Sequence, residues 1–211
     1  MMMTYMTIGL YLLGAYLLGS IPTAVWVGKA FYNIDVRAHG SGNAGATNTF
    51  RVLGKKPGFA VFLIDVLKGF AAVSLSICMV DQSLISMEAA FYYKLVLGAL
   101  AVGGHIYPIF AGFKGGKGVA TVMGMVLGIQ LVATLASFVV FLILLKITKY
   151  VSLSSMLSAL CFPLMLLFVP YFQPVDQRLV IFGFVVVVLL VFTHRSNIKR
   201  LLAGTESKAK V

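Results

Sequence analysis

The sequence predicts an all-α integral membrane protein, and its composition and its long apolar runs both support that fold class. The mean hydropathy is +1.00, with 60% hydrophobic and only 11% charged residues, which is too apolar for a soluble domain. Apolar runs of roughly 20 residues recur along the chain, as they do in transmembrane helices. Backbone groups in lipid must be satisfied within their own segment, and no alternating strand pattern is present. We therefore expect a polytopic helical bundle.

The apolar runs predict one domain, 1–211, with seven transmembrane helices and a disordered tip over the last few residues. The expected spans are 6–27, 59–80, 89–110, two short crossings within 119–145, then 151–169 and 179–193. The two short crossings are the fourth and fifth spans, with a bend near residues 128–134. The first run has no basic n-region and no clear cleavage site, so we interpret it as a span rather than a signal peptide.

Glycine and proline mark the end of the third span. Gly103, Gly104, His105 and Pro108 follow one another closely at that end. Proline cannot continue a helix, and glycine weakens one. We therefore expect the helix to break there, before the polar loop that follows.

The net charge of +11 predicts the orientation of the chain in the membrane. In a soluble protein such a charge would suggest a nucleic-acid partner, but here we expect none. With seven spans, fourteen of the 17 Lys and Arg residues lie on one face, only Arg178 on the other, and Lys68 and Lys94 within spans. A single long fourth helix would break this asymmetry. The positive-inside rule then places the N-terminus outside and the C-terminus in the cytoplasm.

A few polar side chains lie inside the apolar runs. Asp65 and Lys68 share a helix face at i and i+3, and we favour a structural ion pair over a direct chemical role. Cys78 and Cys161 each lie alone in an apolar run, so we interpret neither as a disulfide partner or a metal ligand.

Three polar clusters fall on the predicted cytoplasmic face: GSGNAGATNTFR at 40–51, GFKGGKGVAT at 112–121 and THRSNIKR at 193–200. The second, which we call the glycine loop, places Lys114 and Lys117 among four glycines between two apolar runs. Glycine lets backbone N–H groups turn toward an anion, and lysine adds positive charge. Two interpretations are open, a basic connector that holds orientation and a phosphate cradle.

Neither of the nucleotide-binding patterns that these clusters suggest fits its context. The glycines of 40–45 have dinucleotide-fingerprint spacing and Asp65 follows 20 residues later, but no strand precedes them and Asp65 lies in a membrane helix. The glycine loop is not a Walker A motif, because Gly118 follows Lys117 where Ser or Thr is required, and Ala111 replaces the first glycine.

The three clusters share hydrogen-bond donors with almost no carboxylates. The donors are Ser41, Asn43, Asn48, Arg51, Lys114, Lys117, His194, Arg195 and Asn197. Arginine can fork onto two phosphate oxygens and lysine acts as a point charge, so this set suits an anionic, phosphorylated ligand. No cluster has metal-ligand spacing, and we expect no metal and no cofactor.

The segments SGNAGATNTFR, GHIYPIFAGFKGGKGVAT and THRSNIKRLLAGTE resemble the three cytoplasmic motifs of the bacterial acyl-phosphate:glycerol-3-phosphate acyltransferases, the PlsY family. The similarity covers essentially the whole chain, including the spacing of the motifs and the seven-helix plan. It implies transfer of a fatty acyl group from acyl-phosphate to the sn-1 hydroxyl of glycerol 3-phosphate, which gives lysophosphatidic acid and phosphate at the first step of phospholipid synthesis. The chain also lacks the His-x-x-x-x-Asp pair of other glycerophosphate acyltransferases, since Ala44, Phe110 and Lys199 stand five places after its histidines.

The resemblance also implies roles for single residues. Ser41, Arg51, Lys117, His194 and Asn197 would hold glycerol 3-phosphate and orient its hydroxyl, with Ser41, Arg51, Lys117 and His194 as the catalytic group. Gly115, Gly116, Lys117 and Gly118 would cradle the phosphoryl group of the acyl-phosphate. Asn43, Asn48 and Lys114 complete the expected substrate-binding set.

The chemistry that this site needs is modest, because an acyl-phosphate is already activated and no acyl-enzyme is required. Proximity and stabilisation of developing negative charge are the expected contributions. His194 is the only motif side chain suited to act as general base near neutral pH, but a phosphate oxygen of the substrate would also serve. We favour substrate-assisted deprotonation with His194 in a positioning role.

A transporter of a phosphorylated metabolite is the rival interpretation, since broken helices and basic residues are typical of transporters as well. Against it, the donors lie at one membrane face rather than at the midplane, and no inverted repeat is apparent. A purely structural membrane subunit would leave the polar content of the loops unexplained. We expect a monomeric, multi-pass protein of the bacterial cytoplasmic (inner) membrane, with the lipid bilayer and the two substrates as its partners and its active site on the cytoplasmic face.

Overall fold

The computed structural model describes residues 2–209, which are all helix and connecting loop. Contacts divide these residues into two compact units, which meet in the sequence between Ile129 and Gln130. The described part of the first unit contains α1 Met2–Ser20, α2 Thr23–Tyr32, α3 Ala46–Leu53, α4 Lys55–Asp81, α5 Met87–Ile106 and α6 Val119–Leu127. The all-helical class predicted from the sequence is confirmed.

The first apolar run is two helices rather than the single span expected at 6–27. The chain breaks at Ile21 and Pro22, between α1 and α2. Proline has no N–H to continue the helix and restricts the residue before it, which is the physical reason for the break. The Lys68 Nζ donates to the freed Ile21 carbonyl at 3.0 Å. The Thr23 N–H donates to the same carbonyl at 3.0 Å, so a buried lysine of α4 shares a backbone acceptor at the helix break.

The polar segment after α2 contains a short helix, α3, that the sequence did not lead us to expect. Gly45 precedes its first turn, and Asn48 and Thr49 are buried on one face while Phe50 and Arg51 are exposed on the other. The helix packs on α4 and α2. It therefore fixes the first polar cluster against the bundle.

Helix α4 is the centre of the first unit and packs against α1, α3, α5 and α6. Glycines allow the closest approach, as they do at many membrane helix interfaces. A Cβ at Gly69 would overlap the Thr121 carbonyl, and a Cβ at Gly124 would overlap the Val66 carbonyl. The adjoining core comprises Ala15, Ala72, Met79, Leu97 and Ala101.

Helix α5 ends in the region where the third span was expected to break, but its glycines do not cause the break. Gly103 and Gly104 remain helical, and the helix stops at Ile106, two residues before Pro108. Gly104 serves packing instead, because a Cβ there would overlap the Tyr16 carbonyl of α1. A 3₁₀ turn, Ile109–Ala111, then leads into the glycine loop.

The predicted bend in the fourth apolar run is confirmed, since α6 ends at Leu127 and the next helix begins at Leu131. The fourth segment is short, with 9 residues. Its C-terminal Gly128 carbonyl accepts a long 3.5 Å hydrogen bond from Lys94 Nζ. The fifth segment was expected to be short as well, and that expectation is wrong, because α7 has 18 residues and is apolar enough to span.

The second unit contains α7 Leu131–Thr148, α8 Val151–Phe168, α9 Gln177–Thr193 and α10 Arg195–Leu202. Helix α8 packs on α7 and α9. The Asp176 carboxylate caps α9 by accepting from the Arg178 N–H at 2.9 Å. The chain bends by 63° at His194 between α9 and α10.

Five helices within residues 2–209 are long and apolar enough to cross a membrane: Met2–Ser20, Lys55–Asp81, the stretch Met87–Ala111, Leu131–Thr148 and Val151–Phe168. The bent pair of α9 and α10 makes a sixth if it counts as one span. A multi-pass membrane protein follows from this. The predicted disordered tip falls partly on residues 210 and 211, which lie outside the described range. Before it, the Ala209 N–H donates to the Lys149 carbonyl at 2.7 Å.

Candidate functional site

The amide of Asn48 organises the loop at 39–45 that begins the first polar cluster. Its Oδ1 accepts from the N–H and the hydroxyl of Ser41 at 2.8 and 3.1 Å. Its Nδ2 donates to the carbonyls of Val36 and His39 at 2.8 and 3.0 Å. The side chain is 0% exposed. Both ends of the amide are thus committed to the loop, so Asn48 shapes the cluster from below rather than presenting donors to a ligand.

Ser41 and Arg51 lie at the surface of the same cluster, with Asn43 half-buried beside them. Gly40, which precedes Ser41 in the chain, has φ +62°, in the left-handed region that favours glycine. A Cβ at Gly40 would overlap Asn48 Oδ1 and would lie 3.4 Å from Arg51 Cδ. Arg51 therefore lies beside Gly40, the chain neighbour of Ser41, and both Ser41 and Arg51 are exposed.

The glycine loop folds back onto the last turn of α5. The N–H of Gly115 donates to the Ile106 carbonyl at 3.2 Å, and the N–H of Gly116 donates to the His105 carbonyl at 3.1 Å. These two amides are therefore turned inward, which differs from the phosphate cradle expected from the sequence. Gly118 has φ +85° and starts α6. The glycines of this loop allow its close approach to α5.

The lysines of the glycine loop differ in environment. Lys114 is exposed, whereas Lys117 is half-buried. Lys114 and Gly115 line an open cleft of about 650 Å³ together with residues of segment 33–45, which lies between α2 and α3 and which we call the first loop. The remaining lining residues are Asp35, Arg37, Ala38, Gly42, Ala111 and Gly112.

Arg37 and Asp35 are the residues of this region that sequence reasoning missed. Arg37 Nε and Nη2 fork onto the Asp35 carboxylate at 3.0 and 2.7 Å. Arg37 Nη1 donates to the Ala111 carbonyl at 2.8 Å and to the Lys114 carbonyl at 3.4 Å. Asp35 is the only acid in the segment between α2 and α4, which was the available signal. Arg37 thereby ties the first loop to the glycine loop.

The charge of this tie is stable over the ordinary pH range. The Arg37 guanidinium, through its hydrogen bonds, lowers the pKa of Asp35 to about 2 despite partial burial. The carboxylate is therefore ionised, and it neutralises one positive charge at the cleft. Lys29 adds a weaker contact at 3.8 Å.

The ion pair predicted between Asp65 and Lys68 is confirmed. Lys68 Nζ lies 2.9 Å from Asp65 Oδ1, and the two side chains are 4% and 2% exposed. The hydroxyl of Thr23 also donates to Asp65 Oδ1, at 3.1 Å. Buried charges need such partners, because an isolated ion in this environment would be strongly disfavoured.

The second unit contains the third polar cluster. His194 is 3% exposed, and its Nδ1 lies 2.8 Å from the Leu190 carbonyl oxygen. A carbonyl oxygen only accepts, so Nδ1 carries a proton and, in the neutral ring, Nε2 keeps the lone pair. Asn197 lies one helical turn further along, and its Nδ2 donates to Glu206 Oε1 at 2.6 Å.

Glu206 is a further residue that sequence reasoning missed. It also accepts from Ser152 Oγ at 2.8 Å and Arg200 Nε at 2.7 Å. Burial raises the pKa of Glu206, but the hydrogen bonds from Asn197, Arg200 and Ser152 outweigh it and hold that pKa below its usual range. The signal was an acid alone in a basic C-terminal stretch. Through Glu206, the C-terminal segment links Asn197 and Arg200 of α10 to Ser152 of α8.

Comparison with known proteins gives the chain a family. A family model described as glycerol-3-phosphate acyltransferase matches residues 9–204. The glycerol-3-phosphate acyltransferase of Listeria welshimeri is 44% identical over 207 residues, covering 97% of this chain and 99% of its own. That of Chlorobium phaeobacteroides is 40% identical over 222 residues, covering 93% and 94%.

Solved structures agree with these relatives. The crystal structure of PlsY (YgiH), an integral membrane glycerol 3-phosphate acyltransferase, in its glycerol 3-phosphate form is similar with a TM-score of 0.79 and 39% identity, over 95% of this chain and 94% of that one. Its lysophosphatidic acid form gives a TM-score of 0.78 and 38% identity. The resemblance drawn from the three motifs is confirmed, and the chain belongs to the glycerol-3-phosphate acyltransferase family.

Proposed function

We propose that this protein transfers a fatty acyl group from acyl-phosphate to the sn-1 hydroxyl of glycerol 3-phosphate, giving lysophosphatidic acid and inorganic phosphate. The reaction is the first step of phospholipid synthesis in the bacterial cytoplasmic membrane. Family membership supports the acceptor and the acyl transfer. The observation that carries the site is the Arg37 tie, which joins the donor-rich first loop to the lysine-bearing glycine loop.

The proposed topology has seven membrane segments, with the N-terminus outside and the C-terminus and active site in the cytoplasm. Helix α6 counts as the fourth segment, although its 9 residues extend only about 14 Å and do not cross the hydrocarbon alone. The asymmetry of Lys and Arg supports this arrangement. Labelling of a cysteine introduced after Lys149 in intact cells tests it, and labelling from outside would contradict it.

The proposed roles follow the donor chemistry of the clusters. Ser41, Arg51, Lys117, His194 and Asn197 bind glycerol 3-phosphate. Lys117 and Gly118 also stabilise the leaving phosphate, with Lys114 at the edge of the cleft. Asn48 positions Ser41, Asn43 borders the same loop, and the inward-turned amides of Gly115 and Gly116 set the shape of the glycine loop. We propose that the protein acts as a monomer.

In the proposed reaction, the acceptor oxygen attacks the acyl carbonyl carbon, the carbon–oxygen bond to phosphate breaks, and phosphate departs. The hydroxyl proton passes to a phosphate oxygen of the substrate. Holding the two substrates together can contribute about 7–11 kcal/mol to lowering the barrier. The bond from Nδ1 to the Leu190 carbonyl fixes the His194 ring, which contacts glycerol 3-phosphate and orients it without taking the proton of the attacking hydroxyl. His194 is therefore a positioning group in this scheme.

Phosphate release by the purified protein in detergent micelles tests the donor. We expect release when acyl-phosphate and glycerol 3-phosphate are both present and none when either is omitted. Activity with acyl-CoA but not with acyl-phosphate would overturn the donor. For the base, His194→Gln is expected to retain part of the activity. Complete loss with unchanged glycerol 3-phosphate binding would make His194 the base.

A further inference from the structure

A buried polar cluster lies directly beneath the glycine loop. Neither the Asp65–Lys68 ion pair nor the proposed reaction explains why the cluster includes a histidine. Its members are Thr23, Asp65, Lys68 and His105, which come from α2, α4 and α5. His105 is 6% exposed, and its Nδ1 lies 3.7 Å from Asp65 Oδ1. The same oxygen contacts Lys68 Nζ at 2.9 Å and the Thr23 hydroxyl at 3.1 Å. One carboxylate oxygen therefore gathers groups from three helices.

The opposite side of the His105 ring faces the glycine loop. A Cβ at Gly116 would overlap His105 Nε2 and would lie 3.0 Å from Cε1. A Cβ at Gly115 would overlap the His105 carbonyl oxygen. The Gly116 N–H donates to that carbonyl as well. His105 thus contacts the loop through both its ring and its backbone.

We propose that His105 is a positioning residue for the glycine loop, held in place by Asp65, so that the buried cluster fixes where Lys117 and Gly118 meet the phosphate of the acyl donor. The ring is a platform on which Gly116 rests, and the Asp65 contact fixes the orientation of that platform. Lys68 compensates the carboxylate and also ties it to the helix break at Ile21. The inference rests on the proposed role of this loop at the acyl donor.

The arrangement explains residue types that the phosphate-cradle hypothesis leaves open. The amides of Gly115 and Gly116 donate inward to carbonyls of α5, so anion binding by these amides does not explain why both positions are glycine. Glycine is required at both positions because the His105 ring and carbonyl occupy the space that a Cβ would need. A charged pair buried between α4 and the loop is costly unless every group is partnered, and here each has a partner.

The test is a double-mutant cycle between His105 and Gly116, with the KM for each substrate measured separately. Gly116→Ala is expected to lower kcat/KM by about 100-fold, since its Cβ displaces the ring or the loop. His105→Ala is expected to raise the KM for the acyl donor about tenfold and to change the KM for glycerol 3-phosphate less than about twofold. In the double variant the alanine methyl occupies space that the ring has vacated. We expect its kcat/KM to be at least about tenfold above that of Gly116→Ala alone.

Matched variants separate positioning from folding. Gly103→Ala lies in the same helix as His105, and its Cβ would meet nothing within 4 Å, so its activity should equal that of the wild type. His105→Asn keeps a donor toward Asp65 and should retain more activity than His105→Leu at equal thermal stability. Additive losses in the cycle, or equal activity of the two His105 variants, would overturn the inference. If the coupling is present but the KM effect falls on glycerol 3-phosphate, the positioning role stands and the donor assignment of the loop fails.

Discussion

The Arg37 guanidinium holds the Asp35 carboxylate with two nitrogens and the Ala111 carbonyl with the third, at 2.7–3.0 Å. This arrangement spans 74 residues of sequence and connects the first loop to the turn that begins the glycine loop. A planar, five-donor guanidinium is the side chain that can satisfy two such groups at once. One side chain therefore connects the two loops by direct hydrogen bonds.

Replacement of Arg37 should impair catalysis more than it impairs folding. We expect Arg37→Ala to lower kcat/KM about 10–100-fold, because a charge-assisted tie of roughly 1.5–3 kcal/mol is lost. Arg37→Lys keeps the charge but not the fork, and should recover only part of the loss. The control is Arg178→Ala, which removes a similar fork onto Asp176 at the start of α9. Equal effects of Arg37→Ala and Arg178→Ala on kcat/KM would contradict the proposed tie.

Acid should open this tie in a defined pH window. The pKa of Asp35 is about 2 in the folded protein, below the ordinary value of 3.8. Because the folded-state pKa is lowered, the ionised Asp35 carboxylate stabilises the folded state above pH 3.8. This contribution to the free energy of unfolding is lost as the pH falls toward about 2.

The fluorescence of Trp26 can report the loss of the Arg37–Asp35 contact in this pH range. Trp26 is the single tryptophan of the chain, and its ring centroid lies 6.3 Å from that of Phe110, in the turn that Arg37 holds. We expect a change in Trp26 fluorescence within this acid range in the wild type and none there in Asp35→Asn. A transition of the same size in Asp35→Asn would assign it to another group.

Loss of the Asn48 amide should collapse the first loop. Asn48→Ala would leave the Ser41 N–H without its acceptor and would remove one of the two donors to the buried Val36 carbonyl, at a cost of about 1–3 kcal/mol for a group left unsatisfied. We therefore expect a lower unfolding temperature and at least a tenfold loss of kcat/KM. Thr47→Ala changes an exposed residue of the same helix and is the control for α3 itself. Full activity of Asn48→Ala would show that the first loop does not need the hydrogen bonds of the Asn48 amide.

The glycine contact between α4 and α6 should be sensitive to a single methyl group. A Cβ at Gly124 would overlap the Val66 carbonyl, whose backbone cannot move without displacing α4. Overpacking of this kind costs typically about 1–3 kcal/mol, and more where backbone is involved. Gly124→Ala should therefore unfold at a lower temperature in detergent. Gly14→Ala, where a Cβ meets nothing within 4 Å, should unfold as the wild type does.

Much of the fold follows from local properties of the sequence, because hydropathy and helix breakers act over a few neighbouring residues. The third and later spans begin and end within a few residues of their predicted bounds, and the bend after Leu127 falls where it was expected. Two local elements were missed. The break at Pro22 lay inside an unbroken apolar run, and α3 lay in a segment whose polarity hides its short amphipathic face.

The sequence by itself determined the helical membrane class, the three donor-rich clusters and the family, since these depend on composition and on motifs that are continuous in the chain. Only the tertiary structure decided which of the donors face inward. Asn48 and the amides of Gly115 and Gly116 face inward because partners outside their own turn accept or supply their hydrogen bonds. Arg37 and His105 matter for the same reason. Arg37 contacts the turn at Ala111, and His105 contacts the glycine loop where it folds back on α5. Such contacts arise from tertiary packing and leave no local sequence pattern.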